Sequence, residues 1–437
     1  MPRESVLAYW FRAAMSGAFG ALVFVLPSAP AHAPVPARVV SAFADTHATE
    51  IIPPASTSAA PSTGLFATAC TGAGYCAAGG DFQDGSKPVE PVVATLSRGR
   101  WSRAIQLSLP PDAAQQPYSE VNGISCISAG DCVAVGDYEY GKANSQQAFI
   151  ATESHGVWGR AFAPRLPSNS SVPASAQLGA VTCTHSGFCA AVGSYQDSSG
   201  NNQIMALAKP VGGSWRPATE VASPASAAAN PDAFVTGIAC TGPGSCVAVG
   251  NYSVSSNRFA AMGMTESRGT WHQASGIAAP RNAISSTFTG LSSISCPAAG
   301  SCLGVGEYAV SATQSRAMSV TEAAGRFSRA TEITAVPPGA SLHPSTYLLG
   351  ISCSSPGTCL AVGGGRNRAG LSVGMYMTRS HGHWRAGFLP PPPHAGTGNR
   401  GLSALYAVSC TGRDACTAVG YYHDRTGHPH AEAASSR

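Results

Sequence analysis

An all-β fold, a seven-bladed β-propeller of four-stranded antiparallel blades, is what the sequence predicts, and three features predict it. All 14 cysteines of the 437-residue chain fall into seven pairs six positions apart, and the first cysteines of successive pairs lie 56 or 57 residues apart. Each period holds four short β-rich stretches bounded by turn residues, the mark of a repeat architecture. The last period stops after its third stretch, and the missing one reappears at the N-terminus.

Taken in order, each unit opens with a stretch that runs into its first cysteine, as in "NGISC", "GAVTC", "TGIAC", "SSISC", "LGISC" and "YAVSC". A five-residue turn follows, and the second cysteine leads into "CVAVGDY", "CAAVGSY", "CVAVGNY", "CLGVGEY", "CLAVGGG" or "CTAVGYY". Turn chemistry between two such runs reads as an antiparallel hairpin. A third stretch comes after a polar loop, as in "AFIATES" and "IMALAKP". A Gly-x-aromatic step then opens the fourth, as in "SHGVW" and "SRGTW". The aromatics of this step are Trp101, Trp158, Trp215, Trp271, Phe327 and Trp384. A large ring there is expected to cover the apolar face of the adjacent blade, with a sugar-stacking platform as the alternative. Four strands per unit favour the propeller over a parallel β-helix, whose coils are shorter.

The pairs Cys70/Cys76, Cys126/Cys132, Cys183/Cys189, Cys240/Cys246, Cys296/Cys302, Cys353/Cys359 and Cys410/Cys416 each flank the turn of one hairpin. Residues directly across an antiparallel pair bring their Cβ atoms within disulfide reach, so each pair is expected to be a local bridge that staples its turn. Zinc sites gather four ligands and redox pairs favour C-x-x-C; two cysteines per unit with no common centre fit neither. No metal and no cofactor is expected.

Ring closure is legible as well. "ATEI" at Ala48 to Ile51 repeats "ATEV" at Ala218 to Val221 and "ATEI" at Ala330 to Ile333, each of which follows its unit's aromatic by three positions. Residues 45–53 are therefore expected to complete the last blade and remove the open sheet edge. Asp45 stands where the other units carry the aromatic, which predicts a less well packed seam. Residues 45–437 read as one propeller, with blade units starting near 64, 120, 177, 234, 290, 347 and 404.

Residues 1–31 read as a secretory signal: Arg3 and Arg12 flank the charged end, Ala13 to Leu26 is apolar, and Ala29 and Ala31 fit the cleavage rule. Residues 32–44 are a linker, and the mature chain is expected to lack a transmembrane domain and to lie outside the cytoplasm. Charged residues are only 11% and the formal net charge is +4, with no Lys/Arg run, so nucleic acid is not an expected partner. The protein is expected to be a monomer.

The phase of the repeat resembles that of Asp-box propellers, the sialidase-like superfamily. "SHGVW" (Ser154 to Trp158), "SRGTW" (Ser267 to Trp271) and "SHGHW" (Ser380 to Trp384) keep the serine, glycine and tryptophan of that turn but lack its aspartate. The Cys-x5-Cys-x-Ala-Val-Gly-x-Tyr unit is similar to that of secreted actinobacterial repeat proteins from Ala48 to the C-terminus. These resemblances imply a propeller, secretion and a sialidase-like architecture.

In a propeller of this phase the cysteine turns and the Gly-x-Trp turns share one face, and the opposite face carries the divergent loops that join blades. Variable loops on a rigid scaffold are where specificity resides. Ligand-binding candidates on that face are Glu120, Asp137, Asp232, Glu307, Arg400 and Tyr406. No innermost strand contains arginine, the residue that forks onto a carboxylate, and Glu120 and Asp232, the nearest pair of carboxylates for glycoside hydrolysis, sit two blades apart. The expected function is therefore a non-catalytic scaffold that binds an envelope glycan or another exported protein, with a glycan-cleaving propeller as the alternative.

Overall fold

The computed structural model describes Phe43 and residues 48–436, except 57, 59, 73, 142–144, 285–287 and 399–400. The expected signal segment and Asp45 lie outside the described residues, as does all of the linker apart from Phe43.

The chain forms seven antiparallel sheets, each with a core of four strands, arranged as the blades of a propeller. The innermost strands are Ser62–Thr71, Ser119–Ser128, Ala176–Cys183, Phe234–Gly242, Thr289–Ala298, Thr346–Ser355 and Ser403–Cys410. Every one pairs with the strand after it. Seven local disulfides join the two strands: Cys70–Cys76, Cys126–Cys132, Cys183–Cys189, Cys240–Cys246, Cys296–Cys302, Cys353–Cys359 and Cys410–Cys416, with Cα atoms 4.0–4.1 Å apart. Closing so short a loop removes little chain entropy, about 2 kcal/mol per bridge.

The bridges also do more than staple their turns. The second cysteine of every pair, Cys76, Cys132, Cys189, Cys246, Cys302, Cys359 and Cys416, is buried, 0–6% exposed, whereas the first is only half-buried. The first lies on the innermost strand, an edge of its sheet, while the second strand is flanked by paired strands on both sides. Cys132, Cys189, Cys246, Cys302, Cys359 and Cys416 belong to the apolar layers between blades, and Cys76 Sγ lies 3.6 Å from the Thr417 hydroxyl of the neighbouring blade. The disulfides are thus core groups as well as cross-links.

Blade seven is completed from the other end of the chain: Thr49–Glu50 pairs antiparallel with Pro429–Ser435, in the register Thr49↔Ala433 and Glu50↔Glu432. The missing aromatic of this blade is replaced in space. Phe43 is fully buried and meets Tyr376 edge-on at 5.5 Å, in the same apolar layer between blades six and seven. The seam is thus filled from two positions upstream of Asp45. In the other blades the Trp and Phe rings are half-buried against the layer shared with the preceding blade. They are packing groups.

Adjacent innermost strands are close enough to hydrogen-bond. The backbone N–H groups of Cys70, Cys183, Cys353 and Cys410 donate to Ser409, Ser125, Ser295 and Ser352, the serine preceding the first cysteine of the previous blade, at 2.9–3.0 Å. The tyrosine that ends the Ala-Val-Gly-x-Tyr motif is also structural. Tyr138 is fully buried and donates to Asp112, Tyr195 to Asn169 and Glu220, Tyr308 to Asn282, and Tyr422 to Glu50, which ties each joining loop or outer strand to the blade core.

The repeat also exposes one unmet bond. Tyr75, just before its second cysteine, donates to both carboxylate oxygens of Glu153 in the next blade at 2.8 and 3.0 Å. Two blades further on the same positions are Phe188 and Glu266, and Glu266 Oε2 is buried with no hydrogen-bond partner among the described residues. Phe188→Tyr is expected to restore the donor and stabilise the protein by about 1 kcal/mol. A urea midpoint equal to or below that of the parent would refute the equivalence.

Candidate functional site

The site is built by a defect repeated in every blade. Between the innermost strand and its partner the register slips by one residue, between Leu65/Ala67, Val121/Gly123, Leu178/Ala180, Val235/Gly237, Leu291/Ser293, Leu348/Gly350 and Leu405/Ala407. The extra residue of such a bulge is unpaired in the ladder and its side chain is re-aimed. Here the extra residues are Phe66, Asn122, Gly179, Thr236, Ser292, Leu349 and Tyr406, and all seven line one cavity of ≈ 220 Å³ on the propeller axis.

The bulge explains the glycine of the repeat motif. A Cβ placed on Gly80, Gly136, Gly193, Gly250, Gly306, Gly363 or Gly420 would stand 1.9–2.1 Å from a backbone carbonyl oxygen of the neighbouring innermost strand. Only a residue without a side chain lets that carbonyl fold over. The motif therefore serves the cavity: a glycine repeated in all seven blades permits the bulge, and the bulge presents a residue that differs from blade to blade. The cysteines take no part in it, since none of the 14 lines the cavity.

The cavity lies toward the loop-rich face, since Phe288, Ser345, Arg366 and Ser372 in its wall sit where the joining loops and second-to-third strand loops begin or end. Aromatic rings dominate one side. Phe66 meets Tyr406 edge-on at 5.0 Å, Tyr406 lies 5.8 Å from Tyr421, and Tyr421 lies 5.5 Å from His423. On blades five and six, Phe288 and Tyr347 lie over Gly290 and Gly364, where a Cβ would come within 2.4 Å of the Phe288 ring and 2.2 Å of the Tyr347 hydroxyl. Glycines thus clear space for rings in the channel.

One carboxyl, Glu307, lines this space and others lie behind its wall. Burial pushes Asp81 up to about 7, although the Gly64 N–H donates to it at 3.1 Å. Asp137 is 1% exposed and raised to about 6 by burial, against donation from Gln146 at 2.7 Å and Asn122 at 2.8 Å. Glu307 lines the cavity and is also raised by burial, with the Ser315 hydroxyl easing the shift. Asp81 and Glu307 keep some accessible surface, yet desolvation is the leading cause of both shifts. Tyr406 is raised well above its ordinary range by burial and by the charges of Tyr421, Tyr347, Asp81 and Glu120, groups converging from four blades.

Of the residues singled out in the sequence, Glu307 and Tyr406 line the cavity, and Glu120 and Asp137 are buried beside it as register partners. The Tyr118 hydroxyl donates to Glu120 at 3.1 Å. Asp232 is elsewhere: it sits at φ 40° in the loop joining blades three and four and accepts from Asn202 at 2.8 Å, fastening that loop to the third blade. Arg400 lies outside the described residues. Sequence reasoning missed Asn122 and Asn251, which bring orphaned polar atoms to the cavity. Asn122 Oδ1 and Asn251 Nδ2 are buried with no hydrogen-bond partner among the described residues, and both residues line the cavity.

No protein-family model matches the sequence, and no curated protein matches it. Solved structures do resemble it. A Dyadobacter fermentans protein of unknown function is 10% identical with a TM-score of 0.50, over 90% of this chain and 98% of that one. A Hadza microbial sialidase is 12% identical with a TM-score of 0.45 over 76% of this chain, and Trypanosoma rangeli sialidase in complex with sialic acid is 10% identical with a TM-score of 0.46 over 90% of it. The chain spans 66% and 59% of those two sialidases. At these identities the likeness is one of fold: the protein is a seven-bladed β-propeller with sialidases among its structural neighbours.

Proposed function

We propose that this chain is a secreted or cell-envelope propeller that binds a glycan without cleaving it, at the axial cavity of its loop-rich face. The observation that carries the reading is the combination of aromatic walls with one orphaned donor, Asn251 Nδ2, and one orphaned acceptor, Asn122 Oδ1. A sugar offers apolar ring faces to the aromatics and hydroxyls that both donate and accept. A cavity of ≈ 220 Å³ is below the usual range for drug-sized ligands and suits a single saccharide unit of a longer chain. Seven disulfides fit an oxidising compartment, and among the described residues no helix is long and apolar enough to cross a membrane.

Cleavage is the second reading, favoured by the raised carboxyl of Glu307, a property that general acids use. One experiment separates the two. The purified protein is applied to a glycan array and to a panel of chromogenic glycosides, beside Tyr406→Ala and Glu307→Gln. Array binding that Tyr406→Ala weakens at least about tenfold, as loss of an aromatic anchor should, with no turnover, is expected. Turnover abolished in Glu307→Gln would replace the binding reading by the hydrolytic one.

A further inference from the structure

The channel's charge narrows the class of sugar. Glu307 lines the cavity, and Asp81, Glu120 and Asp137 lie directly behind its wall, Asp137 bonded to Asn122 and Asp81 to the Gly64 N–H, while Arg366 is the only Lys or Arg among the described residues lining the cavity. An anionic sugar would place its carboxylate beside acids whose own ionisation burial already opposes. A neutral sugar can donate hydroxyl hydrogens to these acids but brings no charge to offset theirs. A cation answers both problems: an ammonium group is attracted to the faces of Phe66, Tyr347, Tyr406 and Tyr421 as well as to the carboxyls.

The orphaned amides point the same way and are independent of the charges. Asn122 Oδ1, an acceptor, needs an N–H or O–H; its own Nδ2 already donates to Asp137 at 2.8 Å and to the Leu178 carbonyl at 3.2 Å, which fixes the amide's orientation. Asn251 is 6% exposed and its Nδ2 needs an oxygen. These two atoms belong to blades two and four of the ring. A ligand that satisfies both carries donors at one end and acceptor oxygens at the other.

Resting on the glycan-binding reading above, we propose that the axial cavity recognises an amine-bearing sugar, the de-N-acetylated residue of an amino-glycan. Its ammonium sits on the side of Asn122 and Asp137, and its hydroxyls face Asn251.

Titration calorimetry of the purified protein at pH 6.5 with a glucosamine tetrasaccharide, the matching N-acetylglucosamine tetrasaccharide, sialyllactose and a lysine-rich peptide tests this. The glucosamine oligomer is expected to bind at least about tenfold more tightly than its acetylated twin, the order of effect of one charge-assisted contact. Asp137→Asn and Asp81→Asn, each checked for an unchanged urea midpoint, are expected to remove that preference. Equal affinity for the two oligomers, or tighter binding of sialyllactose, overturns the amine proposal and leaves glycan binding standing. Binding of the peptide alone, or of none of the four, overturns both. A preference retained in both variants overturns the role assigned to the carboxyls, and with it the proposal.

Discussion

Replacing Glu432 by methionine is expected to raise the stability of the protein by roughly 2–4 kcal/mol at pH 8 and by about 1 kcal/mol at pH 5. In six blades the third-strand residue opposite the repeat glycine is apolar: Val92, Phe149, Met205, Met262, Met318 and Met375. Blade seven has Glu432 there, opposite Gly420. The side chain is 1% exposed, neither carboxyl oxygen has a hydrogen-bond partner among the described residues, and burial pushes its pKa well above the ordinary range. A group whose folded pKa is raised carries no ionisation cost below its unfolded pKa, and the cost grows as pH rises toward and through the raised value. The gain on removal must therefore widen with pH. Asp81, raised to about 7, and Asp137, raised to about 6, act in the same direction, so the unmodified protein is expected to be more stable at pH 5 than at pH 8. Asp131, Asp197 and Asp424 are lowered and act oppositely, but only below about pH 4; His423, lowered by burial, opposes the trend between pH 5 and 8 as one imidazole against several raised carboxyls. Urea midpoints of both proteins at the two pH values decide the matter; no gain, or a gain independent of pH, would count against a charge-burial cost at this position.

Gly136→Ala is expected to have the largest destabilising effect, more than about 3 kcal/mol, and to be seen as loss of folded protein. Its Cβ would stand 1.9 Å from the Glu120 carbonyl oxygen and 2.9 Å from the Phe149 ring. Neither can withdraw cheaply, because Glu120 is held in register with Asp137 next to the bulge and the ring is fully buried. Gly242 provides the control: a Cβ there meets nothing within 4 Å, so Gly242→Ala should stay within about 0.5 kcal/mol of the parent. If the two substitutions prove equivalent, the carbonyl contact is not what the motif glycine serves.

The architecture was legible because cysteine spacing and strand grammar are one-dimensional signals. The bulge was not, since a one-residue slip in pairing leaves the sequence unchanged in length and composition; only the recurrent glycine hinted at it, without its reason. The spacing also gave the pairing of the cysteines but not the unequal burial of their two sulfurs, which depends on the neighbouring blade. Tyr138, at the end of a motif that points toward the loop-rich face, turned out to be a tether to Asp112. Glu432 could have been found by aligning third strands, where it breaks a column of apolar residues. Phe43 could not, because it fills its layer from outside the position that the spacing assigns.

The seven bulges also separate inheritance of the fold from choice of ligand. Each blade holds its frame with a disulfide, a buried aliphatic residue and a glycine, and gives up one address to the axis, occupied here by residues as unlike as Phe66, Asn122, Gly179 and Tyr406. Randomising those seven addresses alone would make a combinatorial library in which every member shares one scaffold, and in which new specificities are selected without renegotiating stability.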